Sequence, residues 1–209
     1  IMKKSKRIKK SNSWKIKQKK DQFFQKSKTL GYRSRASFKL IELNKKFKFI
    51  KENINFLDLG SSPGGWTQIA SKIITSGKIL SVDMKDMEPI KNVEFLKGDI
   101  LQKKTKNLIA EYFQENIDVI VSDMAADTTG NKSLDAIRTN ELCENVIYLS
   151  KELLKPKGVL VCKLFMGEDF VKVKDLAKSL FKKVSFFKPE SSRKESKETY
   201  LHCEILKTL

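Results

Sequence analysis

Cysteine and histidine are scarce in this chain. Its 209 residues contain three cysteines, Cys143, Cys162 and Cys203, and a single histidine, His202. The cysteines are widely spaced and odd in number, and none forms a C-x-x-C motif, so we expect free, buried thiols in a reducing compartment. Structural zinc takes four nitrogen or sulfur ligands, which these residues do not provide. We therefore predict a protein with no disulfide framework and no metal.

Long apolar runs are also missing. No run approaches the roughly 18 apolar residues that mark a membrane-spanning helix. Residues 1–20 are too polar for a secretory signal, and a basic organelle-targeting segment stays open, although lysine far outnumbers arginine there. We therefore expect an intracellular protein with no membrane contact.

Acidic residues are almost absent from the first 39 positions. These hold 15 Lys or Arg and one acid, Asp21, which accounts for +14 of the formal net charge of +18. A basic arm on a near-neutral domain suits a polyanion, above all nucleic acid, and the alternative is a lysine-rich solubilising tail. Aromatic residues among the cations can stack on bases or anchor the arm to the domain. They are Trp14, Phe23, Phe24 and Tyr32.

The most informative motif is the glycine-rich stretch DLGSSPGGW at 58–66. An apolar run precedes it and an amphipathic segment follows, which predicts a strand, a tight turn and a helix N-terminus. Such a turn lets a ligand approach the backbone, and the helix start offers free N–H groups. A second apolar strand ends in Asp83, 23 residues after Gly60, where a carboxylate can bind both hydroxyls of a ribose. The pattern favours a nucleoside-containing cofactor over an ordinary strand-to-helix turn.

The residues of the turn narrow the choice of cofactor. Ser62 stands where G-x-G-x-x-G needs its second glycine, which disfavours a nicotinamide or flavin dinucleotide. Gly60 and Gly65 fit G-x-x-x-x-G, but Trp66 holds the position of the P-loop lysine, so a triphosphate lacks its main contact. A ligand with an adenine, a ribose and a small carboxylate tail fits better, and S-adenosylmethionine is such a ligand.

Strand and helix signals alternate along the chain. This predicts an α/β, Rossmann-like fold with a mostly parallel seven-stranded sheet, helices on both faces and an antiparallel C-terminal hairpin. We expect a basic, partly disordered, RNA-binding arm over 1–30 and a catalytic domain over 31–209. Predicted strands are 54–59, 79–83, 93–97, 117–122, 158–164, 184–187 and 199–206, and predicted helices are 13–28, 34–47, 66–75, 103–115, 135–153 and 168–180.

Ligands of such sheets lie beyond the C-terminal ends of the strands. Those ends carry the glycine turn, Asp83 with Met84, Asp99, Asp123 and Lys163. Lys163 interrupts an apolar strand, where a lysine is costly to bury unless it is paired. Asp123, at the neighbouring strand end, is its natural partner, either in a structural ion pair or in an active site.

With these residues placed, the chain resembles the RrmJ/FtsJ family of S-adenosylmethionine-dependent RNA 2′-O-ribose methyltransferases. The resemblance extends from Ser13 to Leu206 and is closest to the short bacterial branch that acts on a uridine of large-subunit ribosomal RNA. It rests on RSRASFKL at 33–40, DLGSSPGGW at 58–66, GD at 98–99, SDMA at 122–125, VCKLFMGE at 161–168 and SSRKESKETY at 191–200.

The resemblance implies a Lys-Asp-Lys-Glu catalytic tetrad, here Lys39, Asp123, Lys163 and Glu198. Lys163 would act as general base or stay charged and orient the hydroxyl. The expected cofactor contacts are Gly60, Gly64, Gly65, Trp66, Asp83, Met84, Asp99 and Asp123, and the expected RNA contacts are Arg33, Arg35, Lys39 and Arg193. The family usually has proline where Ala126 stands, so we expect a looser loop at 126–134, which should border the RNA.

The expected partner is ribosomal RNA or the large ribosomal subunit, bound by a monomer in the cytoplasm, nucleolus or a ribosome-containing organelle. Three alternatives stay open at this point. The first is a transfer-RNA or messenger-RNA-cap 2′-O-methyltransferase, the second a non-catalytic ribosome-assembly protein, and the third a nucleotide-dependent dehydrogenase, which the glycine pattern disfavours.

Overall fold

Six helices and seven strands follow one another along residues 21–207, the part of the chain that the computed structural model describes. The helices are α1 (Gln22–Thr29), α2 (Ala36–Phe47), α3 (Gly65–Ile73), α4 (Lys103–Phe113), α5 (Lys132–Leu153) and α6 (Phe170–Leu180). The strands are β1 (Phe56–Leu59), β2 (Ile79–Asp83), β3 (Glu94–Lys97), β4 (Ile117–Ser122), β5 (Leu154–Phe165), β6 (Phe181–Phe187) and β7 (Glu198–Leu206).

The strands form one sheet in the order β3-β2-β1-β4-β5-β7-β6. The first five are parallel, and β7 runs antiparallel between β5 and β6. The predicted mostly parallel, seven-stranded sheet with an antiparallel C-terminal hairpin is confirmed. The carboxyl ends of β1, β2, β4 and β5 therefore meet at one edge of the sheet, as the parallel arrangement requires.

Two apolar layers cover the sheet, as alternation along each strand requires. Phe56 packs into the layer formed with α2 and α3, whereas its neighbour Leu57 packs into the layer formed with α4, α5 and α6. The second layer takes in Cys143, Val146 and Ile147 from the long helix α5. Helices thus lie on both faces, and the sheet edge between them stays free for polar residues.

The root of the basic arm is packed on the catalytic domain. α1 covers the second half of the predicted 13–28 helix, and residues 13–20, like the predicted disorder at 1–12, lie outside the described residues. Asp21 caps α1 by accepting hydrogen bonds from the N–H groups of Phe23 and Phe24. The ring of Phe23 lies 5.4 Å from that of Phe38 on α2. Phe23 therefore anchors the arm, which was one of the two roles expected of its aromatic residues.

Several element boundaries differ from the prediction, and three of the differences have a clear local cause. The helix predicted from residue 34 begins after Arg35 instead. Asn131 caps α5, which starts three residues early. β5 begins at Leu154 because the ladder with β4 continues past Pro156 and Gly158 through a register shift between Ile117 and Val119. Proline and glycine by themselves predict a turn, but here a β-bulge accommodates Pro156 and Gly158 within the sheet.

The three cysteines are buried and unbridged, as expected. Among residues 21–207, no helix combines the length and the apolar character that crossing a bilayer needs.

Gly77 lies two residues before β2 and packs against the backbone of Ile54, two residues before β1. A Cβ atom there would lie 2.2 Å from the carbonyl oxygen of Ile54, and the residue has φ of +105°. Gly130 has a similar φ of +94° but open space around it. We expect Gly130→Ala to lower the free energy of unfolding by about 1–2 kcal/mol through the left-handed backbone alone. Gly77→Ala should lose about 1–3 kcal/mol more, because backbone atoms must move.

Urea unfolding of both variants beside the wild-type protein measures this difference. Equal losses in the two variants would show that the backbone angle, and not the contact with Ile54, makes glycine necessary at position 77.

Candidate active site

Four charged side chains from distant parts of the chain converge at the C-terminal edge of the sheet. The Nζ atom of Lys163 lies 2.7 Å from Asp123 Oδ1 and 3.5 Å from Glu198 Oε2. The Nζ atom of Lys39 lies 2.8 Å from Glu198 Oε1 and 3.7 Å from Asp123 Oδ1. Each ammonium group therefore contacts both carboxylates, and we call these four residues the charge cluster.

The sheet register explains why the cluster forms. Ser122 pairs with Cys162, so Asp123 and Lys163 follow at adjacent strand ends. Across β5 and β7, Lys163 is opposite Tyr200 and Phe165 is opposite Glu198, which puts Glu198 diagonal to Lys163 on the same face. Lys39 enters from α2, which is fixed by its fully buried neighbour Leu40. Every member except Asp123 is a buried residue, and the Asp123 side chain is only 17% exposed.

Two residues outside the predicted tetrad complete the hydrogen bonding of its carboxylates. The buried hydroxyl of Tyr200 donates to Asp123 Oδ1, and Ser192 Oγ donates to Glu198 Oε1 at 2.7 Å. Lys163 also donates to the backbone carbonyl of Asp123 at 2.7 Å. Sequence reasoning missed both residues. Glu198 and Tyr200 are two residues apart in one strand, so their side chains share a face, and this spacing could have indicated Tyr200.

Charge balance sets the ionisation of the cluster. Burial alone would lower the pKa of Lys163, but the carboxylates of Asp123 and Glu198 outweigh burial and raise it above its ordinary value. Burial opposes ionisation of Asp123, yet the ammonium groups of Lys163 and Lys39 bring the pKa of that carboxyl below its usual range. The pKa of Glu198 is lowered in the same way. These shifts favour the charged forms of Lys163, Asp123 and Glu198.

The glycine turn lies next to this cluster. A small cavity of about 40 Å³ is bordered by Gly60, Gly65 and Trp66 of the turn region and by Asp123 of the cluster. The hydroxyl of Ser61, on the same wall, is buried and has no hydrogen-bond partner within residues 21–207. A buried polar atom without a partner is a vacant contact for a polar ligand.

The glycines of the turn are crowded by the protein itself. A Cβ atom on Gly60 would lie 2.2 Å from Cγ of Met124, and one on Gly65 would lie 2.2 Å from Oγ of Ser34. Gly64 precedes α3 with φ of 101°. The indole of Trp66 donates to the Ala36 carbonyl, so its side chain faces the protein. Close packing within the chain is therefore a second reason for glycine here, beside the approach of a ligand.

The remaining predicted cofactor residues line the ends of β2 and β3. The Asp83 carboxylate accepts from the N–H groups of Ser62 and Lys85 at 2.9 and 2.7 Å, which joins it to the glycine turn. Met84 beside it is 66% exposed. Asp99 follows Gly98, whose N–H donates to the Asp83 carbonyl. These residues lie along the same edge as the turn, and their role as cofactor contacts stays a prediction.

Three of the predicted RNA contacts are engaged within the protein. Arg33 donates to the carbonyls of Pro63, Glu88 and Pro89. Arg35 pairs with Asp21 and donates to the Ser191 carbonyl, and Lys39 belongs to the charge cluster. Arg193 has a half-exposed side chain. RNA binding by these four residues stays a prediction.

The loop after Asp123 is attached to α5. The N–H of Ala126 donates to Thr139 Oγ1 at 3.2 Å, a bond that proline could not make. Further along, Asp135 accepts from the backbone and hydroxyl of Thr129. Alanine thus provides a contact here, where we expected the lack of proline to loosen the loop.

A larger open cavity, of about 530 Å³, adjoins this loop. It lies between the start of α5, the segment after β5 and the loop that precedes β7, and its walls include Phe165, Met166 and Arg193. Its wall residue Phe165 is opposite Glu198 in the sheet, although no residue of the charge cluster itself lines the cavity. Among residues 21–207, no group of three or more His, Cys, Asp and Glu side chains is arranged to hold a metal.

Comparison with known proteins agrees with this geometry. The class that the fold and the site define is the methyltransferases: a model of FtsJ-like methyltransferases matches residues 32–205. The chain belongs to this FtsJ-like family, which confirms the predicted family and enzyme class.

Relatives and a solved structure cover nearly the whole chain. It is 46% identical over 197 residues to ribosomal RNA large subunit methyltransferase E of Pelagibacter ubique, spanning 94% of this chain and 97% of that protein. It is 42% identical to the protein of the same name from Rickettsia akari, over 94% and 89% of the two chains. The crystal structure of a ribosomal RNA methyltransferase from Plasmodium falciparum is 33% identical, with a TM-score of 0.75 over 84% of this chain and 98% of that one.

Asp58, on β1 below the glycine turn, is a buried carboxyl that pairs with no cation from residues 21–207. Thr67 Oγ1 donates to it at 2.6 Å, and the same hydroxyl contacts Ser81 at 2.7 Å. Burial raises the pKa of Asp58 to about 7; the Thr67 bond opposes the shift and the charge of Asp123 adds to it.

Asp58 should therefore make stability depend on pH. Because its folded pKa is above its unfolded value, its contribution is fully present below about pH 4 and is lost as the pH rises through about 7. We expect Asp58→Asn, which removes the buried charge, to gain stability relative to the wild type over this interval, by roughly 2–4 kcal/mol in all. Urea unfolding at pH 5 and pH 8 measures the gain. A wild-type-to-variant difference that is the same at both values would contradict the assignment.

Proposed function

We propose that the protein transfers the methyl group of S-adenosylmethionine to a ribose 2′-hydroxyl, that of a uridine, in large-subunit ribosomal RNA. The observation that carries this proposal is the position of Asp123, which borders the cavity at the glycine turn and also pairs with Lys163. A donor in the turn and an acceptor held by Lys163 would meet at this residue. The names of the relatives support ribosomal RNA as the substrate.

The residues around the turn suit this cofactor. Asp83 uses its two oxygens on backbone N–H groups and keeps lone pairs for the two hydroxyls of a ribose. The start of α3 offers free N–H groups to a carboxylate, and the hydroxyl of Ser61 lacks a partner among the described residues. Asp123 supplies negative charge next to the cavity. S-adenosylmethionine, when bound, supplies an activated methyl group on a positively charged sulfur.

The acceptor side needs alignment and charge stabilisation. A ribose hydroxyl is a poor nucleophile, and correct placement alone lowers the barrier by several kcal/mol. The raised pKa of Lys163 favours an ammonium group, which would donate to the hydroxyl oxygen and hold a lone pair of that oxygen in line with the methyl group. As the oxygen–carbon bond forms and the carbon–sulfur bond breaks, the hydroxyl proton would be released to water. A general-base role requires Lys163 first to lose its proton, which both neighbouring carboxylates disfavour. We therefore infer that Lys163 orients the hydroxyl, with Lys39 and Glu198 fixing Lys163 and the target ribose.

RNA would approach over the open cavity and the basic arm. Residues 1–20 hold ten Lys or Arg and no acid, and the arm's root packs beside the loop that leads to Glu198. Such an arm binds phosphates without reading bases, so it would add affinity while the cavity selects the nucleotide. A ribosomal substrate would place the protein inside the cell, and the proposed reaction needs only a monomer.

Methyl transfer to ribosomal RNA tests the proposed function. With radiolabelled S-adenosylmethionine and large subunits that lack the modification, wild-type protein should label the RNA, and mapping should place the mark on a 2′-oxygen. We expect Lys163→Met to lower kcat at least about 10²-fold, as for loss of the group that aligns the hydroxyl, with the cofactor Kd unchanged. Transfer RNA and capped messenger RNA serve as competing substrates, and labelling of either instead of ribosomal RNA would overturn the choice of substrate.

Asp83→Ala is the matched variant for the donor side. It should weaken cofactor binding in calorimetry, because the ribose loses its acceptor, while kcat at saturating cofactor changes little. If Lys163→Met lost cofactor affinity as strongly as Asp83→Ala, the separation of donor and acceptor roles would be wrong.

The arm makes a separate prediction about salt. A variant without residues 1–20 should bind RNA more weakly, and the slope of log K against log salt should flatten by about 0.7–0.9 for each phosphate that the arm no longer neutralises. Binding titrations at several salt concentrations give the slope. An unchanged slope would contradict RNA binding by the arm and would favour the alternative, a lysine-rich solubilising tail.

A further inference from the structure

One face of α2 holds the loop that leads to Glu198. Arg35, Lys39 and Glu42 are spaced four and three residues apart, which places them on the same side of a helix. Arg35 donates to the carbonyl of Ser191, and Lys39 contacts Glu198 itself. The carboxylate of Glu42 accepts from the N–H groups of Glu190 and Ser191 at 2.6 and 3.1 Å. Three consecutive side chains of this face thus attach residues 190–198 to α2.

The held loop also sets the position of the Glu198 carboxylate. Arg35 and Glu42 both bond to the backbone of Ser191. The next residue, Ser192, donates to Glu198 Oε1 at 2.7 Å. The N–H of Glu198 donates to Ser196 Oγ at 3.1 Å. Ser191 and Ser192 are both buried, so a shift of this segment must shift the carboxylate.

Arg35 is held on two sides by this arrangement. Its guanidinium pairs with Asp21 at the root of the arm and its side chain is 19% exposed. The Asp21 carboxylate is still less exposed, at 12%, and lies 3.9 Å from Arg193 as well. A phosphate could reach Arg35 only by displacing Asp21, and separating a partly buried pair leaves two unpaired charges.

We propose that Arg35 and Glu42 are positioning residues for Glu198, and that Asp21 extends the same brace to the root of the RNA-binding arm. The inference rests on the proposed function and deepens it: Arg35 acts through the loop 190–197 on the tetrad and is not a phosphate ligand. The same set of contacts then fixes both the root of the arm and the position of Glu198 in the charge cluster.

A double-mutant cycle separates positioning from RNA contact. We expect Arg35→Gln and Glu42→Ala each to lower kcat about tenfold, with KM for RNA within about twofold of the wild-type value and an unchanged salt slope. In a Glu198→Ala background, the same substitutions should cause no further loss, because the residue they act through is absent. Lys151→Ala, an exposed lysine at the C-terminal end of α5, is the control and should match the wild type. A raised KM with a flatter salt slope for Arg35→Gln, or additive losses in the Glu198→Ala background, would overturn the proposal.

Amide hydrogen exchange on the protein alone keeps this test apart from the proposed function. In Glu42→Ala, exchange should quicken at Glu190 and Ser191, which lose their acceptor, and also at Glu198, which keeps Ser196. Glu42→Gln retains one acceptor oxygen, so its exchange rates should change less. This milder variant keeps the test usable if Glu42→Ala does not fold. Unchanged exchange at Glu198 in both variants would contradict the positioning role. Absence of ribosomal RNA methylation by the wild-type protein would contradict only the proposed function.

Discussion

Two ammonium groups and two carboxylates, all largely shielded from water, can coexist in this fold only as a set. Each of Lys39 and Lys163 contacts both Asp123 and Glu198, with N–O distances from 2.7 to 3.7 Å. Removal of one member would leave an odd charge in a site with little access to solvent, which is more costly than keeping all four. The sheet order, the register of β5 against β7 and the docking of α2 all serve to bring these four side chains within reach of one another.

The parallel half of the sheet and the antiparallel half contribute differently to the site. Strands β1 to β4 end at the glycine turn, Asp83, Asp99 and Asp123, so the proposed donor side follows from ordinary α/β topology. Glu198 and Tyr200 come from β7, which enters the edge from the opposite direction. Strand β7, which is antiparallel to β5, therefore places Glu198 and Tyr200 next to Lys163. On its other side, β5 is parallel to β4.

Sequence reasoning predicted the sheet and the pairing of Lys163 with Asp123, because strand ends in a parallel sheet meet by geometry. It missed Tyr200 and Ser192, whose roles depend on the register of β5 with β7 and on the path of a polar loop. It assigned Arg35 to the RNA contacts, since a basic residue next to a basic arm gives no sign of its partner within the protein. Asp21, the lone acid of that region, was the available clue, but only the packing of α1 on α2 puts it beside Arg35.

The place of β7 between β5 and β6 has a consequence for biosynthesis. It is the last of the seven strands to leave the ribosome, yet it occupies an inner position, so β6 has no partner in the sheet until β7 arrives. A nascent chain that has made everything up to β6 holds Lys163 without Glu198 and exposes the unpaired edge of β5. Such an intermediate has an incomplete charge cluster and is open to aggregation until translation has passed beyond the seventh strand.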